Sequence, residues 1–394
     1  MAHTILPEDE LRARLHFWRA KGIGPTSIRR IVEYFGGAAA ALQVGDQALL
    51  EAGLKTAGIA AYRAQSPDAA LPDWHWLNAS EQHHILTPED SRYPELLKRI
   101  QTAPPLLFVL GNPDILNDPQ IAVVGTRNPT QGGKDNARAF ASHFAAHGLT
   151  VTSGLAVGID AYGHEAALDN GGHTIAVVGN GLDIMYPLRN RKLAERIVAH
   201  GAIVSEFPTG TAALPQHFPR RNRIISGMSF GVLIVEAALQ SGTLVTARHA
   251  MEQGREVFAI PGSIHNPLAR GCHHLIKQGA KLVETASDIL EEIAPQLNIW
   301  LQHDKPINSP IHSSNFTSPT IYPNGLELPQ EMDSEYAMVL DSLGHEALPI
   351  DQIILNTGLT AEAVSSILLM LELQGFVAAC GGGHYMRMGP GNGN

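Results

Sequence analysis

Apolar runs of strand length alternate with stretches of helix length between residues 121 and 280. The strand candidates are Ile121–Val124, Leu149–Thr152, Thr174–Val178, Ala202–Val204, Val232–Val235 and Val257–Ile260. The pattern predicts helices between them at 134–147, 159–169, 190–200, 220–228, 243–253 and 270–278. Because continuously apolar strands separated by helices are typical of a parallel sheet covered on both faces, this segment predicts an extended Rossmann-like, doubly wound, mainly parallel α/β fold.

Residues 1–78 predict a small helical domain that precedes the sheet. Apolar residues recur at roughly helical spacing from Leu11 to Val32, and the turn Gly22–Pro25 separates two helices. This turn resembles the hairpin of small SAM-like or helix-hairpin-helix-like modules, in which a glycine-rich turn approaches a DNA backbone. A helix–turn–helix unit that serves only packing explains the same pattern.

The sheet domain is expected to span residues 79–295, with short strands at His84–Thr87 and Pro104–Val109 before the main pattern begins. Residues 296–330 are rich in Pro, Ser and Asn and lack periodicity, so we expect a flexible linker. Residues 331–390 predict a third, winged-helix-like domain.

The winged-helix prediction rests on a helix at 335–343, a helix at 361–374 capped by Thr360, and two strands around the turn Gly381–Gly383. The candidate recognition helix Ala361–Gln374 contains no Lys or Arg. DNA binding by this helix is therefore disfavoured, and a protein partner or a dimer contact is the better expectation.

Charge is unevenly distributed along the 394 residues, whose formal net charge is −10. Residues 121–280 carry 14 Lys and Arg against 10 Asp and Glu, whereas residues 281–394 carry 3 against 14. The sheet domain is thus mildly basic and the tail strongly acidic, and the local field is what matters for phosphate binding.

The composition also indicates the compartment. The two cysteines, Cys272 and Cys380, fit a reducing cytosol and exclude a disulfide framework. No apolar run reaches the ~18 residues of a membrane span, and the N-terminus lacks the apolar region of a signal peptide. We therefore expect a cytoplasmic protein without a membrane partner.

Glycine, small residues and arginine follow the ends of the predicted strands, where ligands bind in open α/β sheets. Glycine permits close approach of a ligand, and the N-termini of the following helices favour anions. The predicted phosphate-binding residues on this edge are Gly125, Thr126, Arg127, Ser153, Gly154, Arg189, Arg220, Arg221, Asn222, Arg223, Ser241, Gly242 and Thr243. Three arginines at the positive end of a helix dipole are unfavourable unless something negative compensates them.

Cofactor and metal motifs are weak. The turn after the first strand is not G-x-G-x-x-G, and no Walker A pattern occurs, so NAD, FAD and ATP are disfavoured. The pair His143 and His147 lacks an acidic partner, and Cys272–His274 is too compact for an ordinary metal site. We expect no cofactor and no metal.

The carboxylates near the strand ends have two open explanations, acid–base groups or structural partners of arginines and helix ends: Asp160, Asp183, Glu206 and Glu236.

A series of motifs between about residue 80 and residue 290 resembles the DNA-processing protein A family, also called DprA or Smf. The matching stretches are Val123–Arg127, Ser153–Asp160, Gly179–Asp183 with Tyr186–Pro187, Phe218–Gly227, Ser241–Ala247 and Ala259–Gly262. Their order and spacing make the resemblance specific. Thr126 stands where the family commonly has Ser, which keeps the hydroxyl.

The resemblance implies a non-enzymatic protein that binds single-stranded DNA, forms a homodimer and loads the RecA recombinase during natural transformation. It also implies that Arg127 binds a phosphate, that Arg189 takes the basic position after Tyr-Pro, and that Phe218 offers a stacking face to a base. Stacking on an aromatic ring tolerates any base.

Two alternatives stay open from the sequence. A Rossmann-like enzyme that cleaves N-glycosidic bonds or transfers phosphoribosyl groups would use Glu206 or Glu236 as its acid–base group. A protein-interaction scaffold without a nucleic-acid role would show no binding to oligo-dT at low salt.

Overall fold

A computed structural model describes residues 6–303, 338–340, 342–343, 348–373, 376–380 and 384–387. The chain divides into two compact units, residues 1–312 and residues 313–394, which we describe separately.

The first unit begins with short helices that pack around a common apolar core. These are α1 (Glu8–Arg19), α2 (Pro25–Phe35), α3 (Ala38–Leu42), α4 (Asp46–Glu51), α5 (Thr56–Arg63) and α6 (Leu71–Leu77). Their buried side chains, such as Leu15 and Phe17, share one core with Ile85, Leu106 and Phe108 from the edge of the sheet. The helical module therefore packs on the sheet, and the boundary expected at residue 78 stays a prediction.

Nine strands form one mixed sheet. In chain order they are β1 (His83–Leu86), β2 (Leu107–Gly111), β3 (Gln120–Val124), β4 (Thr150–Ser153), β5 (Thr174–Val177), β6 (Ala202–Ser205), β7 (Gly231–Ile234), β8 (Glu256–Ala259) and β9 (Lys281–Leu282). The spatial order is β1-β2-β6-β5-β4-β3-β7-β8-β9. The seven strands from β6 through β5, β4, β3, β7 and β8 to β9 are parallel to one another. Strands β1 and β2 pair antiparallel, and β2 is also antiparallel to β6. From β3 the chain passes through β4 and β5 to β6, and after β6 it returns to β7 on the other side of β3, as in a doubly wound fold.

Helices cover both faces of this sheet. They are α7 (Glu95–Lys98), α8 (Gln131–Ala146), α9 (Ile159–Asp169), α10 (Arg191–His200), α11 (His217–Met228), α12 (Thr243–Glu252), α13 (Arg270–Lys277) and α14 (Ala286–His303). Alternate residues of β3 enter two different cores: Ala122 and Val124 one, Ile121 and Val123 the other. This is why the strands read as continuously apolar, and the predicted doubly wound fold is confirmed.

Helix α14 extends further than expected. It continues to His303, so residues 296–303, with which the predicted linker began, are helical in the structure. Trp300 packs edge-on against Phe230 with ring centroids 5.7 Å apart, which ties this last turn to the apolar core. The remainder of the predicted linker lies outside the described residues.

The second unit has the elements of a winged helix. They are β10 (Leu348–Pro349), α15 (Ile350–Thr357), α16 (Ala361–Leu373), β11 (Val377–Ala379) and β12 (His384–Arg387), with strand order β10-β12-β11. Thr360 Oγ1 accepts a hydrogen bond of 3.3 Å from Ala363 N, as expected of the cap. The turn Gly381–Gly383 lies outside the described residues. Within the described part of the chain, no helix is both long and apolar enough to cross a bilayer.

Candidate nucleic-acid interface

A cleft opens over the carboxyl ends of β3, β4 and β5, and the first turn of α11 closes one side of it. We call it the strand-end cleft, and its lining residues are Arg127, Gly154, Ala156, Val157, Val178, Gly179, Asn180, Tyr186, Pro187, Phe218 and Arg221. Four of the residues predicted from the sequence therefore meet in one place: Arg127, Gly154, Phe218 and Arg221.

Glycine allows the loops of the cleft to pack closely. Gly158 has a φ of +90°, and a Cβ there would lie 2.4 Å from the carbonyl oxygen of Thr126. A Cβ on Gly154 would lie 2.5 Å from a guanidinium nitrogen of Arg221. A larger residue at Gly158 would push apart the loops that follow β3 and β4, and one at Gly154 would displace the Arg221 guanidinium.

Arg127 is exposed and lies at the rim of the cleft. Its guanidinium carbon is 5.5 Å from the centre of the Phe218 ring, and the Tyr186 ring lies 5.9 Å from Phe218. Among the residues that the structure describes, Arg127 has neither a hydrogen bond nor an ion pair. Its five N–H donors therefore have no acceptor within the described part of the protein, and they lie beside the Phe218 ring.

Arg221 lines the same cleft but is buried. It donates to the carbonyl oxygens of Gly154, at 2.6 Å, and of Val177, and it lies beside the carboxylate of Asp160. Asp160 Oδ2 in turn accepts from the backbone N–H of Gly154 at 3.1 Å. Arg221 thus joins the ends of β4 and β5 from within, which differs from the open phosphate contact expected from the sequence.

Burial shifts the pKa values of this group of side chains. Desolvation lowers the pKa of Arg221 to about 10 and raises the pKa of Asp160, which the neighbouring Arg221 charge lowers in part. Desolvation also lowers the pKa of His164 to about 3, so this imidazole is neutral. The hydroxyl of Thr174 donates to Val151 O and therefore accepts from Nδ1–H of His164 at 2.6 Å.

The other two arginines of α11 share one carboxylate. Glu206 Oε2 accepts from Arg220 Nη2 at 2.9 Å and from Arg223 Nη2 at 2.5 Å. Glu206 is fully buried, Arg223 is nearly so, and the Arg220 side chain is 43% exposed. Three arginines at a helix N-terminus require a compensating negative group. For Arg220 and Arg223 the protein itself supplies this group, the carboxylate of Glu206.

The topological switch point between β3 and β7 is filled by the protein. The carboxylate of Glu236 accepts from Thr130 N at 3.0 Å and from Thr130 Oγ1 at 2.5 Å, at the start of α8. A Cβ on Gly133 would lie 2.4 Å from that carboxylate. Glu236 therefore occupies the helix N-terminus at which an anionic ligand was expected.

The hydroxyls predicted to contact phosphate bond mainly to the backbone. Thr243 Oγ1 donates to Gly125 O at 3.0 Å, Ser241 Oγ accepts from Thr243 N at 3.2 Å, and Ser153 Oγ donates to Val123 O at 2.6 Å. Thr126 Oγ1 accepts from Asn128 N at 3.3 Å. These bonds shape the loops after β3, β4 and β7 and leave little hydroxyl capacity for a ligand.

The remaining predicted residues lie around the cleft. Asn222 Nδ2 is 3.4 Å from the carbonyl oxygen of Gly242, which links α11 to the loop before α12. Arg189 is exposed two residues after Pro187 and is not among the lining residues. Tyr186 and Asn180 also line the cleft and were not predicted from the sequence, although both follow a strand end within the matching motifs.

Metal binding receives no support from the described residues. No three His, Cys, Asp or Glu side chains in that part of the chain lie close enough to hold an ion. The rings of His143 and His147 stack with centroids 4.1 Å apart.

Both units of the chain match models of known protein families. The family model for DNA recombination-mediator protein A matches residues 84–294, and that for the DprA winged helix domain matches residues 327–383. The chain is 45% identical to protein Smf of Escherichia coli (strain K12) over 314 residues, which cover 79% of each protein.

Two solved structures are similar. The X-ray structure of DNA processing protein A from Streptococcus pneumoniae has a TM-score of 0.64 at 37% identity, covering 71% of this chain and 97% of that one. A structure of DNA processing protein A from Helicobacter pylori, described for its single-stranded DNA binding mode, has a TM-score of 0.50 at 27% identity and covers 55% and 97%.

Proposed function

Because the chain belongs to the DNA recombination-mediator protein A family, we propose that it binds single-stranded DNA in the strand-end cleft and mediates recombination. The observation that carries this proposal is Arg127, an exposed guanidinium without an internal acceptor among the described residues, next to Phe218 and Tyr186. A cation for the phosphate and a ring face for the base are the two elements of sequence-independent strand binding.

The contributions of the predicted residues differ under this proposal. Arg127 and Phe218 contact the strand directly, and Arg189 and Arg220 supply further charge at the edges of the cleft. Loop hydroxyls and glycines such as Gly125, Thr126 and Gly242 hold the strand ends in shape. Because most of the affinity of such sites is electrostatic, it falls steeply as salt is raised.

Further aspects of the function rest on the family. We propose that the protein works in the cytoplasm as a homodimer, protects single-stranded DNA taken up in natural transformation and loads the RecA recombinase onto it. The family assignment and the DNA-processing relatives support this role.

Binding rather than catalysis is the better proposal because the two candidate acid–base groups already have partners. Glu206 is held by Arg220 and Arg223, and Glu236 is held by Thr130. Both carboxylates are held by charge-assisted bonds within the protein, and neither is among the residues that line the cleft. Release of free base from nucleoside monophosphates, abolished by Glu236→Gln, would support the enzymatic alternative instead.

The test is a salt titration of binding to labelled oligo-dT and to duplex DNA of equal length, measured by fluorescence anisotropy. The wild type should prefer the single strand, and log K should fall linearly with log salt, with a slope of about −0.7 for each phosphate contact. Arg127→Ala should weaken binding about tenfold or more and reduce the slope by about 0.7, because a charge-assisted bond is lost.

Arg138→Ala is the matched control. Arg138 is also an exposed arginine above an aromatic ring, with its guanidinium carbon 4.5 Å from the Tyr162 ring centre, but it lies on α8 and pairs with Asp135. The control should keep the wild-type affinity and slope. Equal slopes for wild type and Arg127→Ala would remove Arg127 from the interface, and no binding of oligo-dT at low salt would refute the function.

A further inference from the structure

The end of helix α1 contacts the segment between β6 and α11, although the two are far apart in sequence. Trp18 Nε1 donates to Glu206 O at 2.8 Å. Arg19 Nη2 donates to Thr209 O at 3.0 Å and to Thr209 Oγ1 at 2.9 Å. The helical module therefore holds the chain immediately before the arginine-bearing turn of α11.

Asp73 completes this attachment. Its carboxylate is fully buried and accepts from Arg19 Nε at 2.5 Å and from Arg19 Nη2 at 2.9 Å. Oδ1 also accepts from Thr209 N at 2.8 Å and from Thr209 Oγ1 at 2.9 Å. A buried carboxylate with this many charge-assisted and neutral donors fixes the geometry of both partners.

Arg220 lies between two rings at this junction. Its guanidinium carbon is 5.3 Å from the centre of the Trp18 ring and 5.1 Å from that of Phe207, and one nitrogen donates to Glu206. Trp18 and Phe207 are themselves buried, at 7% and 4% exposure, so neither ring is available to stack on a base. The group exposed to solvent at this junction is therefore the Arg220 guanidinium. Apart from the bond to Glu206, its N–H donors have no acceptor among the described residues.

The junction is continuous with the strand-end cleft. The Phe207 ring stacks on His217 with centroids 4.4 Å apart, and His217 precedes Phe218 in the first turn of α11. Cationic and aromatic groups therefore extend from Arg127 and Phe218, past His217 and Phe207, to Arg220.

We propose that Trp18 and Arg19 of the helical module are positioning residues for single-stranded DNA, because they hold Arg220 where it contacts a second phosphate of a strand bound at Arg127. The inference rests on the proposed function. An arginine held in advance loses less side-chain entropy on binding, so its phosphate contact contributes more to affinity.

A double-mutant cycle on oligo-dT binding tests the proposal with Trp18→Leu, Arg220→Ala and the pair together. Each single variant should weaken binding about fivefold to tenfold and reduce the salt slope by about 0.7, the loss of one phosphate contact. The pair should bind no more weakly than Arg220→Ala alone, because Trp18 acts through Arg220. Circular dichroism and the unfolding midpoint establish that each variant is folded.

Trp74→Leu is the matched control. Trp74 is in the same module and also has an arginine over its ring, with the Arg12 guanidinium carbon 4.3 Å from its ring centre, whereas the rings beside Arg220 are those of Trp18 and Phe207. This variant should keep the wild-type affinity and slope. If Trp18→Leu does not fold, Trp18→Phe replaces it, because this change keeps a ring under Arg220 and removes only the hydrogen bond to Glu206 O. Its effect on oligo-dT binding should be smaller and should be absent when Arg220 is already Ala.

Two results would overturn the inference: an Arg220→Ala variant with the wild-type slope, or a Trp18 effect that is undiminished in the Arg220→Ala background. Neither result affects the proposed function, which depends on Arg127→Ala. Conversely, an unchanged slope in Arg127→Ala together with the expected cycle would place the strand at the junction and not in the strand-end cleft.

Discussion

The strand-end cleft has two regions that contain the same type of residue in opposite surroundings. The first, which we call the exposed rim, consists of Arg127, Phe218 and Tyr186. The second, the buried network, consists of Arg221 with Asp160 and His164. Arg127 and Arg221 both line the cleft, yet Arg221 is 5% exposed and donates to two backbone carbonyls, whereas Arg127 faces solvent.

The difference shows that an arginine at a strand end is not by itself a ligand-binding residue. A buried guanidinium must recover its lost hydration from internal acceptors, and those acceptors then occupy the donors that a phosphate needs. An exposed guanidinium keeps its donors in water and gives them to a phosphate at little cost. Substitutions in the buried network should therefore change stability, and those at the exposed rim should change DNA binding.

The largest effect is expected from Arg221→Met. The change keeps an apolar stem but leaves the carbonyl oxygens of Gly154 and Val177 without the guanidinium donor and the buried carboxylate of Asp160 without its neighbouring positive charge, so the free energy of unfolding should fall by about 3–5 kcal/mol. Urea unfolding measures it. Arg127→Ala is the comparison and should stay within about 0.5 kcal/mol of the wild type. An Arg221→Met protein as stable as the wild type would remove the distinction between the two regions.

The next effect concerns Phe218, a second member of the exposed rim. Phe218→Ala should weaken oligo-dT binding by about 1–3 kcal/mol, the usual contribution of one base stacked on an aromatic ring. The salt slope should not change, because no phosphate contact is lost. Tyr34→Ala is the control, since Tyr34 is 56% exposed on the helical module. A slope reduction equal to that of Arg127→Ala would contradict the stacking role of Phe218.

A pH effect should separate the regions further. The pKa of His164 is lowered by burial to about 3, from an unfolded value near 6.5, so the unfolded chain takes up the proton first as pH falls. The stability due to neutral His164 is therefore complete above about pH 6.5 and is lost at up to about 1.4 kcal/mol per pH unit as pH falls towards 3. Urea midpoints across this range measure it. His164→Asn should show a shallower decline, and an identical decline would contradict burial of the neutral imidazole.

The smallest effect is expected at Arg189, which is exposed and outside the cleft lining. Arg189→Ala should weaken oligo-dT binding by only about twofold at moderate salt, because an exposed charge at the edge of an interface contributes little. The same anisotropy assay measures it. A loss as large as that of Arg127→Ala would extend the exposed rim to the turn after Pro187.

Much of the fold follows from local pattern. The alternation of apolar runs and helical stretches predicts the strands and helices of the sheet domain, and the structure confirms them with small shifts at the ends. Helix α11, for example, begins at His217 and not at residue 220, since a proline such as Pro219 is tolerated in the first turn of a helix. The last eight residues of α14 were expected to belong to the linker. Their helical structure was not predictable because Trp300, which anchors them, packs against Phe230, a residue remote in sequence.

The candidate site was predictable in part for a related reason. Carboxyl ends of parallel strands meet at one edge, so Arg127 and Gly154 were expected there, whereas Phe218 was expected from the family resemblance; all three line the cleft. The partners of the other arginines were not predictable. From the sequence, Glu206 could be either an acid–base group or a structural partner of arginines. Only its bonds to Arg220 and Arg223 in the structure favour the second role.

The sequence by itself determined the parallel sheet, its glycine-rich edge and the concentration of arginine along that edge, because these depend on periodicity and on residues near each other in the chain. The tertiary structure decided which arginine is available to a ligand. That outcome depends on desolvation and on acceptors supplied from distant segments. Trp18 and Glu206, joined across 188 positions, are the clearest case, since no local pattern in either segment indicates the other.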